Sequence, residues 1–175
     1  MTEGQLKTMV MRLDRVWAMP NAWTFSIKPI KELLEEEVDS KNWCDPFCGK
    51  NGGKYASIIN DLASNGIDAL DFLKKFPDNH FDGVLLDPPY SNRQVSEHYK
   101  KAGIKVTGWH TSSAWGASLK KEAARVTKIG GKVICFGWNS MGIGKSRGFE
   151  MKRILLVPHG GSKNDTIVTV EIKVS

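Results

Sequence analysis

The sequence predicts one open, twisted α/β sheet, mostly parallel, closing on an antiparallel C-terminal hairpin strand. Three observations carry this expectation. Phe81–Leu86 and Lys132–Gly137 are short apolar runs of the kind buried on both faces of a parallel sheet. They alternate with segments of helical period at 29–38 and 112–129. The final stretch holds two strand patterns, 149–157 and 166–174, around the turn-rich Pro158-His159-Gly160-Gly161-Ser162-Lys163-Asn164-Asp165. With 175 residues, 41% hydrophobic and 25% charged, the chain supports one buried core and does not read as disordered.

Residues 1–24 carry no clean period and include Trp17, Pro20 and Trp23, so they are expected to form an N-terminal arm on a single domain spanning 25–175. Ile30, Leu33, Leu34 and Val38 fall at helical spacing after Pro29, which suits a first helical turn, and Glu35-Glu36-Glu37 form the wet face. Asn42–Asp45 reads as a strand entering the loop Pro46-Phe47-Cys48-Gly49-Lys50-Asn51-Gly52-Gly53. Tyr55–Asn60 is expected as a second strand ending at Asp61, and Asp68–Phe76 as a mostly helical element stopped by Pro77. The helix at 112–129 buries Trp115, Leu119, Ala123 and Val126, takes Ser112 or Ser113 as cap, and stops at Gly130-Gly131. In 166–174, Val168, Val170, Ile172 and Val174 alternate with Thr169, Glu171 and Lys173, the pattern of a strand with one wet face.

Composition excludes several function classes. Three cysteines, Cys44, Cys48 and Cys135, are an odd number without a secretory start, which points to a reducing compartment, the cytoplasm. Four scattered histidines and these cysteines lack metal-ligand spacing, so no metal is expected. The longest apolar runs, such as Ile154-Leu155-Leu156-Val157, fall far short of a bilayer span. Gly144-Lys145-Ser146 imitates the end of a phosphate loop, but Asn139 stands where its first glycine belongs.

In open α/β sheets ligands lie beyond the carboxyl ends of the strands. Three unusual loops fall there: Asp45-Pro46-Phe47-Cys48-Gly49, the acids Asp61 and Asp68, and Asp87-Pro88-Pro89-Tyr90. The last is the sharpest signal. Two prolines fix the backbone and remove two N–H donors, so the Asp87 carboxylate and the Pro88 carbonyl can both accept from one planar donor. An exocyclic amino group is such a donor, and Tyr90 offers a flat face for the ring that carries it.

These residues resemble the DNA amino-methyltransferases that use S-adenosyl-L-methionine, of the adenine-N6 or cytosine-N4 kind. The family's donor loop resembles Asp45-Pro46-Phe47-Cys48-Gly49, and its catalytic tetrapeptide matches Asp87-Pro88-Pro89-Tyr90. Trp23-Thr24-Phe25-Ser26-Ile27-Lys28-Pro29 stands where the family carries a further donor-binding segment. The chain is similar in particular to small phage or prophage adenine methylases, through Phe136-Gly137-Trp138-Asn139-Ser140 and the loop from His159 to Asp165. The resemblance implies a Rossmann-like methyltransferase sheet, transfer to adenine N6 in DNA as the main reading, and S-adenosyl-L-methionine as donor. It implies that Trp23, Phe25 and Phe47 flank the donor, Asp45 faces its amino-acid part, Asp61 its ribose and Asp68 its adenine, with Cys48 as lining. Helix capping is the competing role for the three acids. Two departures stand out: only Lys50 to Lys54 separate the donor loop from the next strand, and 91–110 is too short for a large recognition insertion.

The net charge of +6 is concentrated. Segments 91–110, 139–148 and 159–165 hold Arg93, Lys100, Lys101, Lys105, Lys145, Arg147 and Lys163 against Glu97 and Asp165. With Asn139 and His159, they are expected to form a basic rim that attracts phosphates of DNA. An RNA-base amino-methyltransferase of the guanine-N2 type is the first alternative, and a non-catalytic nucleic-acid-binding subunit the second. No membrane partner is expected, and the oligomeric state is open.

Overall fold

The computed structural model describes residues 10–49 and 53–175. The strands are β1 (Arg12–Arg15), β2 (Trp43–Asp45), β3 (Ile58–Ile59), β4 (Phe81–Leu86), β5 (Thr127–Gly137), β6 (Phe149–Val157) and β7 (Thr166–Lys173). The helices are α1 (Lys28–Glu37), α2 (Leu62–Asn65), α3 (Ala69–Leu73), α4 (Asn92–Lys101) and α5 (Ser113–Val126). The strands form one sheet in the order β1-β6-β7-β5-β4-β2-β3. Every pairing is parallel except the two made by β7, which runs antiparallel to both β5 and β6. The expected mostly parallel, Rossmann-like sheet with its antiparallel C-terminal strand is thus present.

Two layers cover this sheet because β4 and β5 are apolar at consecutive positions. Val84, Leu86 and Val133 pack under α3 and α5, against Leu73, Leu119, Ala123 and Val126. Leu85, Ile134, Leu155, Val168 and Val170 face the other way, under Ile30, Leu33 and Leu34 of α1. Each of these side chains is almost wholly removed from water, and such burial is the main stabilising term.

Several elements depart from expectation for local reasons. Within the stretch expected as an N-terminal arm, Arg12–Arg15 pair with β6 and extend the sheet, while residues 1–9 lie outside the described residues, as do 50–52 of the loop after β2. Of the strand expected over Tyr55–Asn60, only Ile58 and Ile59 pair, since β2 offers a short partner. Glu35 and Glu36 are exposed as expected, with Arg153 reaching Glu36 at 2.6 Å, but Glu37 is buried and takes Lys152 at 2.6 Å and Lys132 at 3.4 Å. The glycine pair 130–131 does not end α5, which stops at Val126. It lies within β5, in the bulged stretch between the pairings of Thr127 with Phe81 and Lys132 with Gly83, where Gly130 takes φ +79°.

The last strand is also drier than its alternation suggests. β7 lies between β5 and β6, and Thr169 and Glu171 are buried. The Glu171 carboxylate accepts from the backbone N–H groups of Ile143 and Gly144, so it clamps the segment that returns from β5 to β6.

One contact is unforgiving. Gly83 pairs with Trp43, and a Cβ at Gly83 would stand 2.5 Å from three atoms of the fully buried Trp43 ring. Gly83→Ala should therefore cost about 1–3 kcal/mol through overpacking, read as a lowered melting temperature. An unchanged value would show that the indole does not lie across Gly83.

Candidate active site

β2 and β4 run parallel and release the chain at the same end of the sheet, Asp45 from one and Asp87 from the other. After Asp45 the chain turns sharply. The Asp45 carboxylate accepts from the Phe47 N–H at 3.0 Å, and the Asn60 N–H donates to the Asp45 carbonyl at 2.9 Å. Buried Asn60 also accepts from the Cys48 N–H at 3.0 Å through its carbonyl and donates from its amide to Ile67 at 3.0 Å. Asn60 thereby ties the loop at 46–49 to the turns that carry Asp61 and Asp68.

Both of those acids cap helices and line the same cavity. Asp61 accepts from Ser64 N at 3.1 Å and Ser64 Oγ at 2.8 Å, and Asp68 from Leu70 N at 2.8 Å and the Tyr99 hydroxyl. The cavity has a volume of about 290 Å³ and gathers Trp23, Pro46, Phe47, Cys48 and Gly49 with Asp61 and Asp68. Asp87, Pro88, Pro89 and Tyr90 complete its wall. A second cavity of about 340 Å³ opens on the other side of Pro88, Pro89 and Tyr90, toward Phe136, Trp138 and Asn139. The tetrapeptide is therefore a partition between two hollows.

Its own geometry is tight. The Tyr90 hydroxyl donates to Asp87 Oδ1, and the Tyr90 N–H to Gln94 Oε1 at 2.7 Å. The Tyr90 ring meets Trp138 edge-on, with centroids 5.7 Å apart. Burial pushes the Asp87 carboxyl up to about 6, against hydrogen bonds from Tyr90 and Thr24 that pull the other way. Burial, then the Asp87 charge, drives the Tyr90 phenol above its ordinary value, so it remains a donor. Below the cavity, Asp45 is pushed up to about 7 by burial and by the charges of Asp87 and Asp61. Burial likewise raises the Cys48 thiol to about 11, which leaves it unreactive as a nucleophile at neutral pH.

The site differs from the sequence reading in identifiable places. Phe25 does not line the cavity; it is buried against Phe136 at 4.9 Å and Tyr55 at 6.1 Å. Asp45 is beneath the cavity and not in its wall. His159 is not at a nucleic-acid surface: it is buried, with Nδ1 2.8 Å from the Ala18 carbonyl and Nε2 2.8 Å from Thr166 Oγ1. Lys145 and Arg147 lie at the opposite end of the sheet, because β5 and β6 point the same way and the connection must run back before Phe149. There Arg147 joins Arg125 and Lys173. Arg93, Lys100 and Lys101 are exposed on α4, which starts directly after Tyr90, and Lys105 follows it. Asn139 lines the second cavity, and Lys163 is exposed in the turn between β6 and β7, at the end of the sheet that carries Asp87 but away from β4.

Thr24, Gln94 and Tyr99 were not singled out from the sequence. The signal for the last two was available: Ser91-Asn92-Arg93-Gln94 is a capping box, and Ser91 Oγ accepts from Gln94 N at 3.3 Å. Val95 and Tyr99, four apart, then form the buried stripe of α4.

The raised carboxyls make a pH prediction. Asp45 at about 7 and Asp87 at about 6 hold protons in the folded protein that an unfolded chain releases above about pH 4. Stability therefore falls as pH rises through about 4 to 7. Carboxyls held low, such as Asp82 beside Lys128, act with the opposite sign but only at lower pH. The melting temperature should be higher at pH 5 than at pH 8, with a smaller difference in Asp45→Asn. A flat profile would mean that these groups ionise normally.

No family model matches this chain, and no curated protein does. Among solved structures it is similar to TrmN from Thermus thermophilus, at 16% identity over 85% of this chain and 49% of that one, with a TM-score of 0.49. It is similar also to NSun6 from Pyrococcus horikoshii (15%, covering 94% and 48%, TM-score 0.44) and to the T. thermophilus 16S rRNA N2 G1207 methyltransferase RsmC (15%, covering 84% and 39%, TM-score 0.40). The chain spans about half the length of TrmN, and each likeness is one of fold.

Proposed function

We propose that this protein is an S-adenosyl-L-methionine-dependent methyltransferase acting on the exocyclic amine of an extruded nucleobase, with adenine N6 in DNA as the leading substrate. The observation that carries the reading is the partition Asp87-Pro88-Pro89-Tyr90 between an acidic cavity and an aromatic one.

The acidic cavity suits a cationic ligand. Asp61, Asp68 and Asp87 line it, Asp45 sits beneath, and no lysine or arginine is among the described lining residues. Such a hollow repels the phosphates of a dinucleotide and favours a sulfonium and an ammonium group. Asp61 and Asp68 would hold polar parts of the donor, while Trp23 and Phe47 supply aromatic surface. When bound, the donor supplies an electrophilic methyl group on cationic sulfur.

The chain's own residues would do the rest by position and charge. Asp87, ionised above about pH 6, accepts from the target amine together with the Pro88 carbonyl, which stabilises positive charge growing on nitrogen. Tyr90 fixes Asp87 through its hydroxyl and presents its ring, with Trp138, to the base. Alignment of nucleophile and electrophile lowers the barrier without a covalent enzyme intermediate. Guanine N2 in RNA is the second reading, because this acceptor pair recognises an amine with two hydrogens and does not by itself distinguish the ring that bears it.

Labelled donor with deoxy- and ribo-oligonucleotides side by side, followed by mass analysis of nucleosides, tests both. N6-methyladenine in DNA supports the main reading, N2-methylguanine in RNA the second, and no transfer with no heat of donor binding overturns both. At saturating donor, Asp87→Ala should turn over roughly 10²-fold more slowly or worse. Near-normal turnover would refute the role given to Asp87.

A further inference from the structure

Among the described residues β1 ends the sheet, and no strand pairs with the backbone groups of its outer edge. Val16 N donates to the Leu156 carbonyl at 3.0 Å and Ala18 N to the Pro158 carbonyl at 3.2 Å, so even-numbered positions of this stretch face β6. With the two-residue period of a strand, the N–H and C=O of Met11, Leu13 and Arg15 face outward. An uncovered edge of this kind is a template for another strand. It is also unusually apolar: Val10 is 85% exposed, Leu13 65% and Trp17 58%.

We propose that this edge pairs with β1 of a second copy of the chain, antiparallel about a two-fold axis at Leu13, to make one sheet continuous across the dimer. The register is what selects the partner. Outward-facing Leu13 meets Leu13 of the second copy as a hydrogen-bonded pair, as its geometry requires at the axis. Arg12 then stands opposite Asp14 in the closer, non-hydrogen-bonded pair, and Val10 opposite Val16. Neighbouring centres fail this test. An axis at residue 12 or 15 sets arginine against arginine, and one at residue 14 sets aspartate against aspartate. The two-fold contact is self-complementary, as closed dimers require.

The inference is independent of the proposed activity. Light scattering coupled to size exclusion at micromolar concentration should give a mass near twice 19.5 kDa for the parent protein. Leu13→Lys and Leu13→Glu should each give a species near 19.5 kDa with unchanged circular dichroism, since Leu13 is exposed and its outward N–H takes no part in the β6 ladder. An equimolar mixture of the two variants should recover the double mass, because lysine then faces glutamate across the axis. A monomeric parent would overturn the proposal. So would a dimeric Leu13→Lys protein, or a mixture that stays monomeric.

Discussion

Asp45 and Asp87 leave the ends of β2 and β4 into a poorly hydrated place beside Asp61 and Asp68, and the cost of burying those two carboxyls governs the candidate site. Asp45 and Asp87 are held where burial works against their charge, and Asp61 adds to the field at Asp45. Within the described lining no lysine or arginine offsets them. Such an arrangement is costly for an empty protein and favourable for one that holds a cation. Asp45, Asp61 and Asp68 bond to backbone N–H groups at the turn after β2 and at two helix starts, so the fold uses part of their charge for its own turns.

The partition between the hollows owes its stiffness to covalent and hydrogen-bonded constraints together. Pro88 and Pro89 restrict the backbone, the Tyr90 hydroxyl holds the Asp87 carboxylate, and Gln94 holds the Tyr90 N–H. Gln94 belongs to α4, as does Tyr99, whose hydroxyl donates to Asp68. One helix thus braces both the partition and an acid of the neighbouring cavity. The sheet makes this possible by bringing β2 and β4 side by side.

Basic charge is distributed differently from the acids. Arg93, Lys100, Lys101 and Lys105 remain on the side of the sheet where the partition lies, but Lys145 and Arg147 belong to the far end. Net charge along the sequence therefore overstated the basic rim, and a phosphate-facing surface would be centred on α4 and the residues after it.

Much of the frame was legible from local pattern. The consecutive apolar positions of Val84, Leu85 and Leu86 announce a strand dry on both sides, and Ser112 with its following apolar stripe announces α5. Asp87-Pro88-Pro89-Tyr90 announced a stiff loop rich in acceptors because proline restrictions act on the backbone wherever the residues stand. Other assignments waited for the tertiary structure, since they depend on which surfaces neighbours cover. Glu171 alternates like a wet residue yet is dry, because the chain between β5 and β6 folds over it. His159 reads as a loop residue near a ligand but closes on Ala18, far away in sequence. Lys145 lies near Asn139 in sequence yet sits in the turn that leads back into the start of β6. Periodicity and backbone chemistry are local properties and can be read from order alone; burial, charge compensation and the end of the sheet a loop reaches are set by chain crossings that no short window of residues contains.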